Sequence, residues 1–263
     1  MIKKSTLLGT SMTLMLCSMA PLAQASIFEF NPSDFGGTDA TYSGDELVGT
    51  FSTGFTSADA FATFSTTGWL RVDTINLNSS AVSTGGLNTD YQLWFEFSYD
   101  ASGGTGGSIA PFYNIDAASF SLYAASGVGR SFNTATGGTG TPTVGDKDGT
   151  EVLLATGGDE LFGGGVVNFQ NQAFFGLDTD FDLVELGTFF TAPDPFYNLA
   201  FQSSSSVTPT LDFEGGTGTL NGTGEFRVEE VPEPASLALI GFGLLALGWT
   251  VTRRREGQFG RHS

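Results

Sequence analysis

Residues 91–99 read YQLWFEFSY, and their side chains alternate. Tyr91, Leu93, Phe95, Phe97 and Tyr99 fall on one face, with Gln92, Glu96 and Ser98 opposite. A period of two with aromatic enrichment is the signature of a strand that lays one face on a core. The stretch GWLRVDTINL (68–77) repeats the pattern, setting Leu70, Val72 and Thr74 against Arg71, Asp73 and Ile75.

Outward from these two, shorter runs of the same kind recur: ASFSLYAA (118–125), EVLLAT (151–156), GVVNFQ (165–170), AFFGL (173–177), DFDLVELGTFF (180–190), FYNLAFQS (196–203) and GTGEFRVEE (222–230). Between them lie SGGTGG, TGGTGT, GDKDG and TGGDE, which carry turn chemistry. No amphipathic helix of three turns interrupts the series, and no fixed-period repeat points to a solenoid or propeller. The expected fold is all-β: a single antiparallel β-sandwich of jelly-roll type with Gly/Ser/Thr-rich loops, spanning residues 26–230. The 25 Phe of the 263-residue chain supply its core.

Both ends read as targeting segments. Lys3 and Lys4 precede the apolar run STLLGTSMTLMLCSMAPLA, and Ala23-Gln24-Ala25 has the small residues of a signal-peptidase site, so residues 1–25 are expected to be removed and Ser26 to begin the mature protein. Cys17 does not suit lipidation, because Leu16 precedes it where a small side chain is needed. At the other end, residues 235–252 carry no charge, close to the shortest helix that crosses a bilayer core. Arg253, Arg254 and Arg255 follow at once and bias that end toward the cytoplasm. Just upstream, Pro232 and Pro234 flank Glu233 and hold the backbone extended, as a processing enzyme requires.

The segment between the two signals is strongly acidic. From Ser26 to Val231 it holds four basic residues (Arg71, Arg130, Lys147 and Arg227) against 26 acidic ones, a net charge of −22. Nucleic acid is therefore not a partner, since phosphate binding needs clustered cations. Cys17 lies in the signal peptide and His262 in the terminal stub, so the mature domain has neither residue type. Triads that use His or Cys, His/Cys zinc sites and disulfides each lose an indispensable member. Carboxylate chemistry remains: calcium binding, or an acid pair of glycosidase type.

Several stretches offer such carboxylates. Asp178, Asp180 and Asp182 stand at alternate positions and share one face of a strand. They serve either as a calcium cage with Glu185 nearby or as the wet face of a strand whose Phe181 and Leu183 turn to the core. An EF-hand is excluded, because Leu183 replaces its glycine and Phe189 its bidentate acid. GDKDG (145–149) reads as an exposed turn or an oxygen-rich calcium loop. For an acid pair, Glu96 lies beside Trp94, with Trp69 as a further sugar platform. Asn78 and Asn221 head sequons whose chance frequency is high in a chain so rich in Ser and Thr.

Pro232-Glu233-Pro234, the apolar segment and the arginine cluster, in that order, resemble the PEP-CTERM sorting signal of Gram-negative bacteria; the stub EGQFGRHS is longer than that pattern suggests. The resemblance implies processing by a membrane-embedded exosortase, with residues 231–263 as sorting signal and the inner membrane as a transient anchor. A second resemblance covers most of the mature chain. FEFNPSDF, YQLWFEFSYDASGG, GTEVLLATGG, PDPFYNLAF and GTGEFRV, in that order, resemble the flocculation-associated PEP-CTERM protein family. It implies a non-enzymatic secreted or surface protein that acts with exopolysaccharide in flocs or biofilm, and it brings no catalytic residues. A lectin-like module or carboxylate glycosidase is the alternative. Calcium bridging of its carboxylates to acidic polysaccharide is the mechanism this composition suggests.

Overall fold

The structure is a computed structural model that describes residues 26–59, 62–103, 112–158, 160–167, 173–194, 196, 199–204, 210–212 and 214–229. The expected signal peptide, Ala23 and Ala25, the Pro232-Glu233-Pro234 strip, the apolar tail and Arg253 to Arg255 lie outside the described residues. Among the described residues no helix is long and apolar enough to cross a membrane. The chain divides into two compact units, Met1–Glu229 and Glu230–Ser263.

Strands dominate the first unit. A short pair, β1 (Phe28–Phe30) and β2 (Tyr42–Gly44), leads into two long strands, β3 (Glu46–Thr56) and β4 (Thr63–Leu77). The small β5 (Ser80–Ala81) precedes β6 (Tyr91–Ser102) and β7 (Phe112–Ser126). A separate hairpin, β8 (Ser131–Asn133) and β9 (Thr143–Gly145), comes before β10 (Val152–Gly157) and β11 (Glu160–Val167). The remainder is β12 (Ala173–Asp180), β13 (Asp182–Leu183), β14 (Phe190–Ala192), β15 (Leu199–Ser204), β16 (Thr210–Asp212) and β17 (Thr217–Glu229).

The antiparallel all-β architecture expected from the sequence is present, but its connectivity differs. The main sheet runs β11-β12-β15-β17-β3-β4-β6-β7, and β7 then pairs with β11 through Phe112↔Val166 and Asn114↔Gly164. The sheet thus closes on itself. Each strand of this ring neighbours the ring strands before and after it in sequence, and the last, β17, pairs with the first, β3. Jelly-roll crossovers are replaced by up-and-down order, so the two layers of a sandwich are here two halves of one continuous sheet.

Two glycine corners bend the wall. β10 and β11 occupy the same edge of β7 in succession; β10 ends at Gly157, and Gly158 follows it. A Cβ on Gly157 would stand 2.1 Å from the Asp180 carbonyl oxygen and 2.3 Å from the Phe120 ring. At the same corner the Gly158 N–H donates to the Asp180 carboxylate at 2.5 Å. The run 180–190, expected as one strand, breaks here: β13 is two residues long, and Gly187, at φ 101°, turns the chain by donating to Phe190 O. The second corner is a bulge opposite Val48 and Gly49 that makes Asp73 the extra residue. It shifts the phase of β4, so that Ile75 is buried and Thr74 exposed, the reverse of the strict alternation expected.

The core lies between the two halves. Phe226 of β17 meets Phe95 of β6 at 4.3 Å between ring centres, and Phe120 of β7 at 5.2 Å. Leu47, Leu70, Val72, Leu93, Leu122 and Val228 fill the space around them. The three-stranded sheet β14-β1-β2 adds a second aromatic layer. Phe28 packs edge-on to Phe190, Phe30 stacks on Phe189, and Phe189 reaches Tyr91. Each such ring removes roughly 150–250 Å² from water, enough to hold a domain without disulfides.

Candidate functional site

Cross-strand register builds one distinctive strip on the outer wall. Trp69 pairs with Glu96, Arg71 with Trp94, and Trp94 with Tyr123, so these side chains share the face turned away from the core. Both tryptophans of residues 26–231 stand here. Trp94 stacks on Tyr123 at 5.5 Å and donates its indole N–H to Glu96 Oε1 at 3.0 Å. Arg71 pairs with Asp73, the bulged residue, which also accepts from Thr50 Oγ1.

The strip is covered. Residues 127–150, between β7 and β10, form a strap across the outer wall that contains β8 and β9. The Trp69 indole N–H donates to Asn133 O at 3.0 Å, and the Ala135 N–H to Ser52 Oγ at 3.0 Å. Further on, Asn221 Nδ2 donates to Ala135 O and the Gly138 N–H to Thr219 Oγ1. Gly54 gives the returning chain room, since a Cβ there would stand 2.7 Å from Gly140 O. Phe132 projects from the strap onto the strip, 5.2 Å from Trp69, 6.1 Å from Trp94 and 5.8 Å below the Arg71 guanidinium. The sugar platform expected at Trp69 and Trp94 is therefore buried, Trp94 completely and Trp69 to within 4%.

Charges fasten the strap. Arg130, whose side chain is 4% exposed, donates to Ser126 O, Asp148 Oδ1 and Thr150 Oγ1 and lies 3.4 Å from Glu151. Its Nε has no partner. The Thr150 hydroxyl and amide hold the Asp148 carboxyl below its usual pKa. Lys147 pairs with Glu96 and lies 5.5 Å from the Tyr123 ring centre. The segment GDKDG thus serves as a clasp for Arg130 and Glu96. On the neighbouring wall, burial works to raise the Glu46 pKa, and hydrogen bonds from Asn76 and Arg227 overcome it and leave it lowered. All four basic side chains of the described residues stand in ion pairs.

The acidic triplet does not assemble. Asp180 ends β12 and bonds Gly158, Asp182 is exposed on β13, and burial raises the Asp178 pKa. Phe181 between them is buried in the core, and Leu183 packs against it. Among the described residues no three His, Cys, Asp or Glu side chains are close enough to share a metal ion. A different pair does come together. The register shift between Asp100 and Ala101 leaves Asp116 as an extra residue beside Asp100, and both line a cleft of about 490 Å³ with Thr56, Thr63, Phe64 and Ser65.

Sequence reasoning set Glu96 beside Trp94 and offered Trp69 as a further platform; the β4–β6 register brings Trp69 to them, and the strap that covers them was missed. One signal was present: Arg130 is the sole basic residue between Arg71 and Lys147, and a lone cation in so acidic a stretch is a candidate for a buried pair. Asp116 gave no such signal, since a bulge is a property of two strands together.

With the geometry in place, the comparisons with known proteins concern the far end of the chain. A protein-family model for the PEP-CTERM protein-sorting motif matches residues 230–255, which include Pro232, Glu233, Pro234 and Arg253 to Arg255. No curated protein and no solved structure matches the chain. The molecule is thus an antiparallel β protein that carries a sorting motif. It is an exported protein, sorted through the membrane by an exosortase.

Proposed function

We propose that the barrel is a non-enzymatic component of the cell surface or extracellular matrix that promotes flocculation or biofilm formation together with exopolysaccharide. In this reading the segment 235–252 anchors the protein in the inner membrane until the exosortase acts at the PEP strip. The observation that carries the reading is the sorting motif on a closed, strongly acidic domain whose four cations are already paired. The second resemblance, to flocculation-associated proteins, points the same way. Deletion of the gene tests it, with complementation by the full chain or by a chain ending at Val231, scoring aggregation and the protein in cell and medium fractions. Dispersal rescued by the full chain alone supports the reading, and aggregation indifferent to deletion overturns it.

The cleft at Asp100 and Asp116 favours a second reading, a carbohydrate-binding module or carboxylate glycosidase. Release of reducing ends from matrix polysaccharide, lost in Asp100→Asn and Asp116→Asn, would replace the first reading with this one.

A further inference from the structure

Phe132 sits in its surroundings as a ligand would. Two indole rings and a guanidinium enclose it, the Trp94–Tyr123 stack extends the enclosure, and Glu96 and Asp73 supply acceptors at its margin. Trp69, Trp94 and Phe132 are not members of the main core cluster, so this aromatic layer is separate from the one that holds the barrel together.

The strap that delivers Phe132 is built to lift. It is attached to the sheet by single hydrogen bonds, by the Arg130 and Lys147 clasps and by the packing of Phe132 and Ala135, with no strand pairing to the main sheet among the described residues. Gly127, at φ 74°, and Gly149, at φ 82°, flank it, and neither has any atom within 4 Å of where a Cβ would stand. Residues of this kind absorb large backbone changes without disturbing what they connect.

We propose that Phe132 is an internal plug in a saccharide-binding site on the outer wall, and that residues 127–150 are the lid of that site. With the strap lifted, Trp69, Trp94 and Tyr123 present flat aromatic surface beside Arg71 and Glu96, the mixture of apolar faces and few polar groups that orients a small ligand. The net charge of −22 repels polyanions, so the ligand is a neutral segment of the matrix polysaccharide. Aromatic stacking takes the apolar face of a pyranose ring, and the Arg71 and Glu96 groups take its hydroxyls. The proposal rests on the reading of this protein as a partner of exopolysaccharide and assigns the residues that would meet it.

The test titrates three forms of the secreted protein with the neutral polysaccharide fraction washed from the producing cells. Binding is followed by sedimentation and by the emission of Trp69 and Trp94. Phe132→Ala removes the plug, and Ser52→Cys with Ala135→Cys locks the strap to β3 in a domain that has no cysteine of its own. If the strap is open about a tenth of the time, Phe132→Ala binds about tenfold tighter than the native chain, because apparent affinity scales with the competent fraction. The locked form loses binding and regains it on reduction. Equal binding by all three forms overturns the proposal, as does absence of binding by Phe132→Ala with an unchanged urea midpoint. Should Phe132→Ala prove unstable, the locked form read before and after reduction decides alone. These outcomes are read on purified protein, so they stand apart from the aggregation test of the broader reading.

Discussion

Gly49 and Arg71 lie so close across the β3–β4 bulge that a Cβ on Gly49 would stand 1.9 Å from the Arg71 carbonyl oxygen. Backbone oxygen cannot swing aside as a side-chain tip can, so the strands must part to admit even a methyl group. Gly49→Ala is expected to cost at least about 1–3 kcal/mol. Urea unfolding checks this: the midpoint falls with an unchanged slope, and a neutral result would show that the bulge does not need its glycine.

Phe226→Ala removes the ring that meets Phe95, Phe120 and Phe181 in the centre of the barrel. A loss of about 3–5 kcal/mol is expected from the cavity and the lost transfer energy together. Phe112, on the same barrel but 68% exposed, is the control, and Phe112→Ala should shift the midpoint by no more than about 0.5 kcal/mol.

Arg130→Met strips the clasp while keeping much of the side-chain volume. Asp148 and Glu151 both lose their cation, and Thr150 loses a donor. The effect should concentrate in the strap. Limited proteolysis is expected to nick within 127–150 before the barrel unfolds; nicking first elsewhere would show that Arg130 secures more than the strap.

Glu46 gives the domain an acid limit. Its folded pKa lies below the usual glutamate value, so ionised Glu46 stabilises the fold above the unfolded pKa, and this contribution is lost as pH falls through the lowered folded pKa. Asp178, raised by burial, works in the opposite sense: its contribution is present at low pH and lost as pH rises through the folded pKa. Urea midpoints between pH 7 and pH 3 should decline toward acid, and Glu46→Gln should flatten the decline. An equally steep decline in the variant would assign the acid limit to other carboxylates.

Pro232→Ala combined with Pro234→Ala removes the two residues that bar helix within the sorting motif. The chain is then expected to accumulate as an uncut precursor in the membrane fraction. Gel mobility against the native protein reads this directly, and normal processing would show that the exosortase does not need the two prolines.

The strands whose apolar residues alternate without interruption were legible, as in Tyr91 to Tyr99. β3 was not: ELVGTFSTGFT carries Gly49 and Gly54, which read as breaks in a strand. In the fold both are needed, one for the bulge and one for the passage of the strap. The inversion at Thr74 and Ile75 has the same origin, since a one-residue bulge is decided by the partner strand. The sorting motif was fully legible because its three parts are contiguous. The covered strip was half legible. The spacing of Trp94 and Glu96 put them side by side, whereas Trp69 joins them through the β4–β6 register and Phe132 through a strap whose Gly, Ser and Thr residues resemble any loop.

The seam between β3 and β17 joins Glu46 to Arg227 at 2.7 Å, uniting the first and last strands of the ring. A chain that emerges from its N-terminus cannot make that seam until nearly all of this domain has followed. The ring therefore stays open until its last strand is in place. Closure becomes available only when Arg227 arrives, a few residues ahead of Pro232. The order of strands thus makes closure of the ring the last step of its assembly.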